Sequence, residues 1–321
     1  MSAIRIGLIG GSGLGVALGT QTGGTAHDIE TPLGPTSGPI TETNWAGLTV
    51  FFLSRHGPGH TLNPTAVPFR ANIFALKSLG VTHILASGAV GSLREEFKPR
   101  QLVIPDQVID KTHKRSNTFF ERAAVHAEFA EPFCPVLRRT ILEAAKLMSP
   151  TPEVAPVGGP EATTPPASPT VHDGGCYVCM EGPAFSTRAE SLMHRLWGGD
   201  LVGMTAMPEA KLAREAEIAY ALVALVTDYD CWRQKPAASD QPGGLEADPF
   251  VLLKEIIANM EHATKDAIDL IRRTVELMAT KSADQLASPA HQALKLGIWS
   301  DKSRIPKDEV DRLAPLWGKY F

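Results

Sequence analysis

Four places along the chain carry residues whose types and spacing suit chemistry on a small polar ligand. The first is Gly10-Gly11-Ser12-Gly13-Leu14-Gly15, directly after an apolar run. With glycines at 11, 13 and 15, the third position of a dinucleotide fingerprint falls on Val16 or Leu18, and no lysine follows to make a phosphate-cradling P-loop. What remains is a loop whose N–H groups and Ser12 hydroxyl can wrap one phosphate, because successive backbone donors form an anion nest. A plain glycine turn is the other reading. The second place is Arg55-His56, a planar bidentate donor beside an imidazole, a pairing suited to phosphate. A surface arginine with a structural histidine is the competing interpretation. His56 and His60 are four apart, but Gly57-Pro58-Gly59 between them is not expected to be helical, and no metal site is expected there.

The third place is Asp228-Tyr229-Asp230, immediately after the wholly apolar stretch Ile218 to Val226. A carboxyl near the low-dielectric end of a sheet has a raised pKa and can donate a proton near neutrality. A pair of turn aspartates would look the same in sequence. The fourth is Cys176-Tyr-Val-Cys179, which has the spacing of a zinc or redox pair. Its setting reads as a strand, where positions three apart face opposite sides, so two ordinary thiols are expected.

These residues need a scaffold, and the apolar pattern supplies one. Ile4–Ile9, Thr49–Ser54, Thr82–Ser87, Gln101–Pro105, Gln107–Asp110, Cys176–Met180, Asp200–Met204 and Ile218–Val226 read as strands. Pro68–Gly80, Pro135–Met148, Arg188–Trp197 and a segment from Pro208 to about Glu217 read as helices, and Asp248-Pro249 as the cap and first residue of a long helix toward Met278. Alternation of the two predicts an α/β fold, a mixed central β-sheet flanked by helices. Ligands in such sheets collect at the carboxyl ends of strands, where the glycine loop, Arg55-His56, Gly88 to Ser92, Thr205 and Asp228 all fall. Seven of the 25 prolines lie between Ser149 and Thr170, so 149–173 is expected to be a flexible surface insertion in a domain spanning 1–280, with 281–321 an extension of unassigned role.

Composition narrows the classes. The 321 residues carry 31 Lys and Arg against 35 Asp and Glu, a formal charge of −4 that disfavours nucleic acid or an anionic membrane as partner. With 43% hydrophobic residues the chain is globular, and Ile218–Val226 is too short for a membrane span, which needs about 20 residues. Four cysteines fit a reducing compartment, and no signal segment follows the N-terminus, so a cytoplasmic protein is expected, with the nucleus as an additional location.

The motifs Gly10-Gly11-Ser12-Gly13-Leu14, Ser54-Arg55-His56-Gly57, Gly91-Ser92-Leu93-Arg94-Glu95-Glu96, Ala130 to Pro135, Glu181-Gly182-Pro183-Ala184-Phe185-Ser186, Met204-Thr205-Ala206-Met207-Pro208-Glu209 and Thr227-Asp228-Tyr229-Asp230-Cys231-Trp232 resemble those of the trimeric purine nucleoside phosphorylase family. Within it they are most similar to members acting on S-methyl-5'-thioadenosine. The resemblance implies phosphorolysis, in which phosphate displaces adenine and leaves 5-methylthioribose 1-phosphate, with no metal or organic cofactor. It assigns phosphate to Ser12, Arg55, His56, Gly88 through its backbone, Ala89 and Thr205. It also implies that Met204 lies over the ribose, that Phe185 and Ser186 face the base, and that Tyr229 and Asp230 join Asp228 in binding substrate. Asp228 is expected to be the acid at N7, and by the same resemblance His126 matches a residue lent to the neighbouring subunit of a homotrimer. A 6-amino purine suits Asp228 and Asp230, whereas a 6-oxo purine would leave a buried carboxylate repelled. A broader phosphorylase acting on adenosine, methylthioinosine or inosine is the runner-up, ahead of a nucleosidase or a noncatalytic nucleotide-binding protein.

Overall fold

The computed structural model describes residues 3–11, 24–148, 169–233 and 249–321, with the side chains of 249–255 left aside. In chain order the strands are β1 (Arg5–Gly10), β2 (Thr25–His27), β3 (Glu30–Thr31), β4 (Gly34–Pro35), β5 (Ile40–Trp45), β6 (Leu48–Ser54), β7 (His83–Ser92), β8 (Leu102–Ile104), β9 (Gln107–Asp110), β10 (Val171–Asp173), β11 (Cys176–Cys179), β12 (Leu201–Gly203) and β13 (Ala219–Asp228). The helices are α1 (Phe69–Ser78), α2 (Pro135–Ala145), α3 (Arg188–Leu196), α4 (Ala206–Glu215), α5 (Pro249–Ala279), α6 (Lys307–Arg312) and α7 (Ala314–Trp317). One mixed sheet runs β10-β8-β13-β7-β1-β6-β5-β2, with β12 joining the far end of β7 and β11 and β9 continuing from it. A separate two-stranded ribbon pairs β3 with β4.

Strand β13 shows why the apolar run is unbroken. Tyr220, Leu222, Ala224 and Val226 face a core with Phe51, Ile73, Phe74 and Leu212, while Ala221, Val223 and Leu225 face a second core with Leu137, Ile141, Ala267 and Leu270. A strand covered on both sides has no polar phase, as in other parallel sheets buried between helices. The helices have local causes too. In α2, the Cys134 thiol caps the Leu137 N–H and Pro135 takes the first turn, where its missing N–H is no loss. In α3, Thr187 and Glu190 form a reciprocal capping box.

Several expectations change. Strand β7 continues through Gly88, Ala89, Val90 and Gly91 to Ser92 instead of ending at Ser87, because β13 pairs along that length. Val171–Asp173, expected at the end of the insertion, pairs with β8 as strand β10, and 149–168 lies outside the described residues. Helix α4 opens at Ala206, two residues before Pro208. The antiparallel strands β5 and β2 complete one edge of the sheet where no strand is expected. Asp248, expected as a cap, lies outside the described residues. The segment 281–321 is part of the core: Leu294, Leu313, Leu316 and Trp317 are buried on the α1 and α4 face, and Leu286 on the other.

Candidate active site

Strand β1 pairs with β7 only from His83 to Ala86, and β12 meets β7 only at Gly91 and Ser92. Between them, the edge of β7 at Gly88 to Val90 opens onto a cavity of about 300 Å³. The ends of β1, β6, β12 and β13 converge on it, bringing Gly11, Arg55, His56, Gly88, Ala89, Met204, Thr205, Asp228 and Asp230 together, with Phe185 and Ser186 from the loop after β11. Ser12 lies outside the described residues.

Arg55 is fully buried, and its fork is not free as the sequence suggests. Nε and Nη2 donate to the two carboxylate oxygens of Glu209 at 2.7 and 2.8 Å, and Nη1 donates to the Ser87 carbonyl at 2.8 Å. Glu209 also accepts from the Tyr220 hydroxyl at 2.8 Å. These contacts take three of the five N–H donors, leaving two on the outer nitrogens for a ligand. Burial opposes the arginine's charge, and Glu209 more than offsets it, so the guanidinium pKa is raised. Gly11 is required beside it: a Cβ there would stand 2.8 Å from the Ser87 oxygen and 3.0 Å from Arg55 Nη1.

His56 Nδ1 lies 2.8 Å from the Leu62 carbonyl, so this nitrogen carries the proton and Nε2 is left as an acceptor. Burial, and then the neighbouring Arg55, push the His56 pKa down to about 4. A short 3-10 turn at Pro58–His60 reverses the chain despite the non-helical Gly59, and it stacks the His60 ring on His56 with centroids 4.2 Å apart. Among the described residues no cluster of three His, Cys, Asp or Glu side chains could hold a metal.

A register shift between Val226 and Asp228 re-aims the end of β13, a common device beside functional sites. Thr227 donates to Asp228 Oδ1 at 2.6 Å and the Asp230 N–H donates to Oδ2 at 2.9 Å. Burial raises the Asp228 pKa against these two donors, and burial raises that of Asp230. One Asp230 oxygen, Oδ2, is buried without a hydrogen-bond partner. Such an orphan next to a cavity is a place for a ligand donor. Tyr229, between them, does not line the cavity: its hydroxyl donates to the Glu95 carbonyl at 3.3 Å and its ring stands edge-on to Trp232. Nor does His126, which is exposed, with its ring 4.5 Å from Trp299.

Met204 is held in place from behind. Arg115 donates to the Met204 and Met207 carbonyls at 2.6 Å each and to the Glu181 carboxylate at 3.1 Å. Burial works against the Glu181 charge, but the His113 and Lys114 N–H groups, Thr65 and Arg115 outweigh it and hold its pKa near 2. Gly182 lets the loop approach, since a Cβ there would lie 2.6 Å from Met204 Sδ. Glu209, Tyr220 and Arg115, which act one layer behind the cavity, and the apolar wall of Pro64, Met180, Val202, Ile256 and Met260 are not expected from the sequence. Glu209 was findable only as part of the motif Met204–Glu209, since a lone glutamate in a helix reads as solvated.

The chain matches the Phosphorylase superfamily over residues 5–276. It is 42% identical over 318 residues to S-methyl-5'-thioadenosine phosphorylase of Thermosynechococcus vestitus, covering 99% of each chain. Among solved structures it resembles a methylthioadenosine phosphorylase from an antarctic soil metagenomic library, with a TM-score of 0.81, 40% identity and coverage of 98% of this chain and 99% of that one. It also resembles the S12T mutant of the adenosine/methylthioadenosine phosphorylase of Schistosoma mansoni, in complex with methylthioadenosine, with a TM-score of 0.75, 31% identity and coverage of 92% and 99%. Converging strand ends, a guanidinium at the cavity floor and this similarity along nearly the whole length agree: the chain belongs to the phosphorylase superfamily, in its S-methyl-5'-thioadenosine phosphorylase family.

Proposed function

We propose that the protein is a pentosyltransferase that cleaves S-methyl-5'-thioadenosine with inorganic phosphate, giving adenine and 5-methylthioribose 1-phosphate. The observation that carries this reading is one cavity whose lining puts Arg55, His56, Gly88, Ala89 and Thr205 together with two partly buried carboxyls, Asp228 and Asp230. Neutral His56 accepts a hydrogen bond at Nε2 from a protonated phosphate oxygen, while the two outer N–H groups of Arg55 and the Thr205 hydroxyl fix the remaining oxygens. A phosphate oxygen attacks the anomeric carbon as the bond to N9 of the purine breaks and its electron pair moves into the ring. The Asp228 carboxyl gives its proton to N7, so the base leaves neutral. Positive charge on the sugar is stabilised by the phosphate, and negative charge on the purine by Asp228, which favours the transition state over the ground state. No metal or organic cofactor enters this scheme.

The 6-amino group of adenine supplies a donor to the orphan Asp230 Oδ2. Apolar atoms of Pro64, Ile256 and Met260 favour a thioether over a hydroxyl at the 5' position. His126, Leu296 (87% exposed) and Trp299 (71%) form an apolar tip away from the chain's own cavity, which supports its docking on a second copy in a homotrimer. A panel of methylthioadenosine, methylthioinosine, adenosine and inosine, each with and without phosphate, tests the reading. Methylthioadenosine with phosphate is expected to be fastest, and equal rates for the inosine compounds would overturn the base assignment.

A further inference from the structure

Glu209 closes the motif that begins at Met204, does not line the cavity, and is 1% exposed. Burying a carboxylate and a guanidinium costs several kcal/mol for each ion, and apolar residues of similar volume commonly serve stability as well or better. The pair therefore calls for an explanation beyond folding. Its geometry is specific: both Glu209 oxygens meet one edge of Arg55, Tyr220 steadies the first oxygen, and the Ser87 carbonyl fixes Nη1. Arg55 thus reaches the cavity with its orientation fixed and its charge already balanced. His56 is neutral with Nδ1 engaged, so among the described residues at the floor the charges of Arg55 and Glu209 cancel.

We propose that Glu209 is a positioning residue that tunes the oxyanion site through Arg55, keeping it close to neutral so that bound phosphate is oriented by hydrogen bonds yet retains the negative charge it presents to the sugar cation. This rests on the phosphorolysis reading above. A site with an unbalanced guanidinium would bind phosphate more tightly and blunt that charge, giving up transition-state stabilisation for ground-state binding.

The test is Glu209→Gln, which keeps the size and one acceptor oxygen but removes the charge, compared with wild type in full kinetics. Removing an anion this close to the phosphate is expected to lower the KM for phosphate by about tenfold and to lower kcat as well, while the KM for the nucleoside stays within about twofold. A side chain that only supports the fold would not move one substrate constant alone. Because the variant loses a buried counter-ion, its melting temperature is also recorded with and without phosphate, a measurement that works even on a weakly stable protein. Phosphate should raise the melting temperature of Glu209→Gln more than that of wild type, since it becomes the counter-ion to Arg55. A phosphate KM that is unchanged or higher, or a phosphate-induced rise no larger than in wild type, overturns the proposal. Wild type releasing adenine equally well without phosphate would instead refute the phosphorolysis reading itself.

Discussion

Asp228 and Asp230 sit two residues apart, yet their environments differ. Asp228 accepts from Thr227 and from the Asp230 N–H, whereas one Asp230 oxygen is buried without a partner. Burial raises the pKa of both. In the proposed role of proton donor, Asp228 works in its neutral form, so kcat should decline as pH rises through its pKa in the complex. Asp228→Ala should cost at least about 100-fold in kcat, the lower range for loss of a general acid. Tyr229→Phe, in the intervening position but facing Glu95 and Trp232, should change kcat/KM by no more than about twofold. Steady-state kinetics of the two variants decide the matter, and a reversed order would remove the acid role from Asp228. At this scale the sequence reveals the reactive groups because strand-end aspartate, arginine and histidine are unusual after apolar runs. It does not reveal that Glu209 takes one edge of Arg55, because that pairing spans 154 residues.

Among the elements, the central strands are legible because a strand buried on both faces is an apolar block. Strand β5 is not: Ile40-Thr-Glu-Thr-Asn-Trp45 lies next to the edge strand β2, only Ile40 is fully buried, and its polar run carries no clear period. The end of β7 is obscured by its own glycines, which read as a turn until β13 pairs with them. Helix α4 joins site and core, beginning beside Thr205 and ending at Glu215, whose carboxylate accepts from the Phe119 N–H at 2.8 Å. Burial pushes the Glu215 pKa up from its ordinary value to about 7, against the Phe119 and Thr118 hydrogen bonds. A raised folded-state pKa contributes stability that is complete below the unfolded value near 4.5 and is lost as pH rises through about 7. The loss is on the order of 3 kcal/mol. Thermal melts across about pH 5 to 8 should therefore fall more steeply for wild type than for Glu215→Gln. Parallel curves would show that Glu215 does not titrate in this window.

For the whole molecule, the segment after α5 is the part the sequence conceals. Its apolar residues are scattered through short turns and two short helices, without the stripe that marks an amphipathic helix. Nonetheless Trp317 is fully buried with its ring 4.7 Å from Phe120, and the Tyr320 hydroxyl and Leu294 N–H both donate to Glu217, immediately after α4. The segment thus seals the face of the sheet on which α4 rests. Trp317→Ala should destabilise the protein by about 3–5 kcal/mol, as for other large buried aromatics. Urea unfolding should show this as a lower midpoint with unchanged slope. Stability within about 1 kcal/mol of wild type would mean the segment is not integral to the fold.

Residues, elements and whole fold converge on the proposed phosphate site beside Arg55, where the oxyanion would be the nucleophile. The direct measurement is phosphorus NMR of the protein incubated with S-methyl-5'-thioadenosine and inorganic phosphate, with adenine followed in parallel. Phosphorolysis requires a new sugar phosphate ester appearing in step with adenine, and no adenine when phosphate is withheld. Adenine released at the same rate without phosphate, with no ester formed, would contradict it.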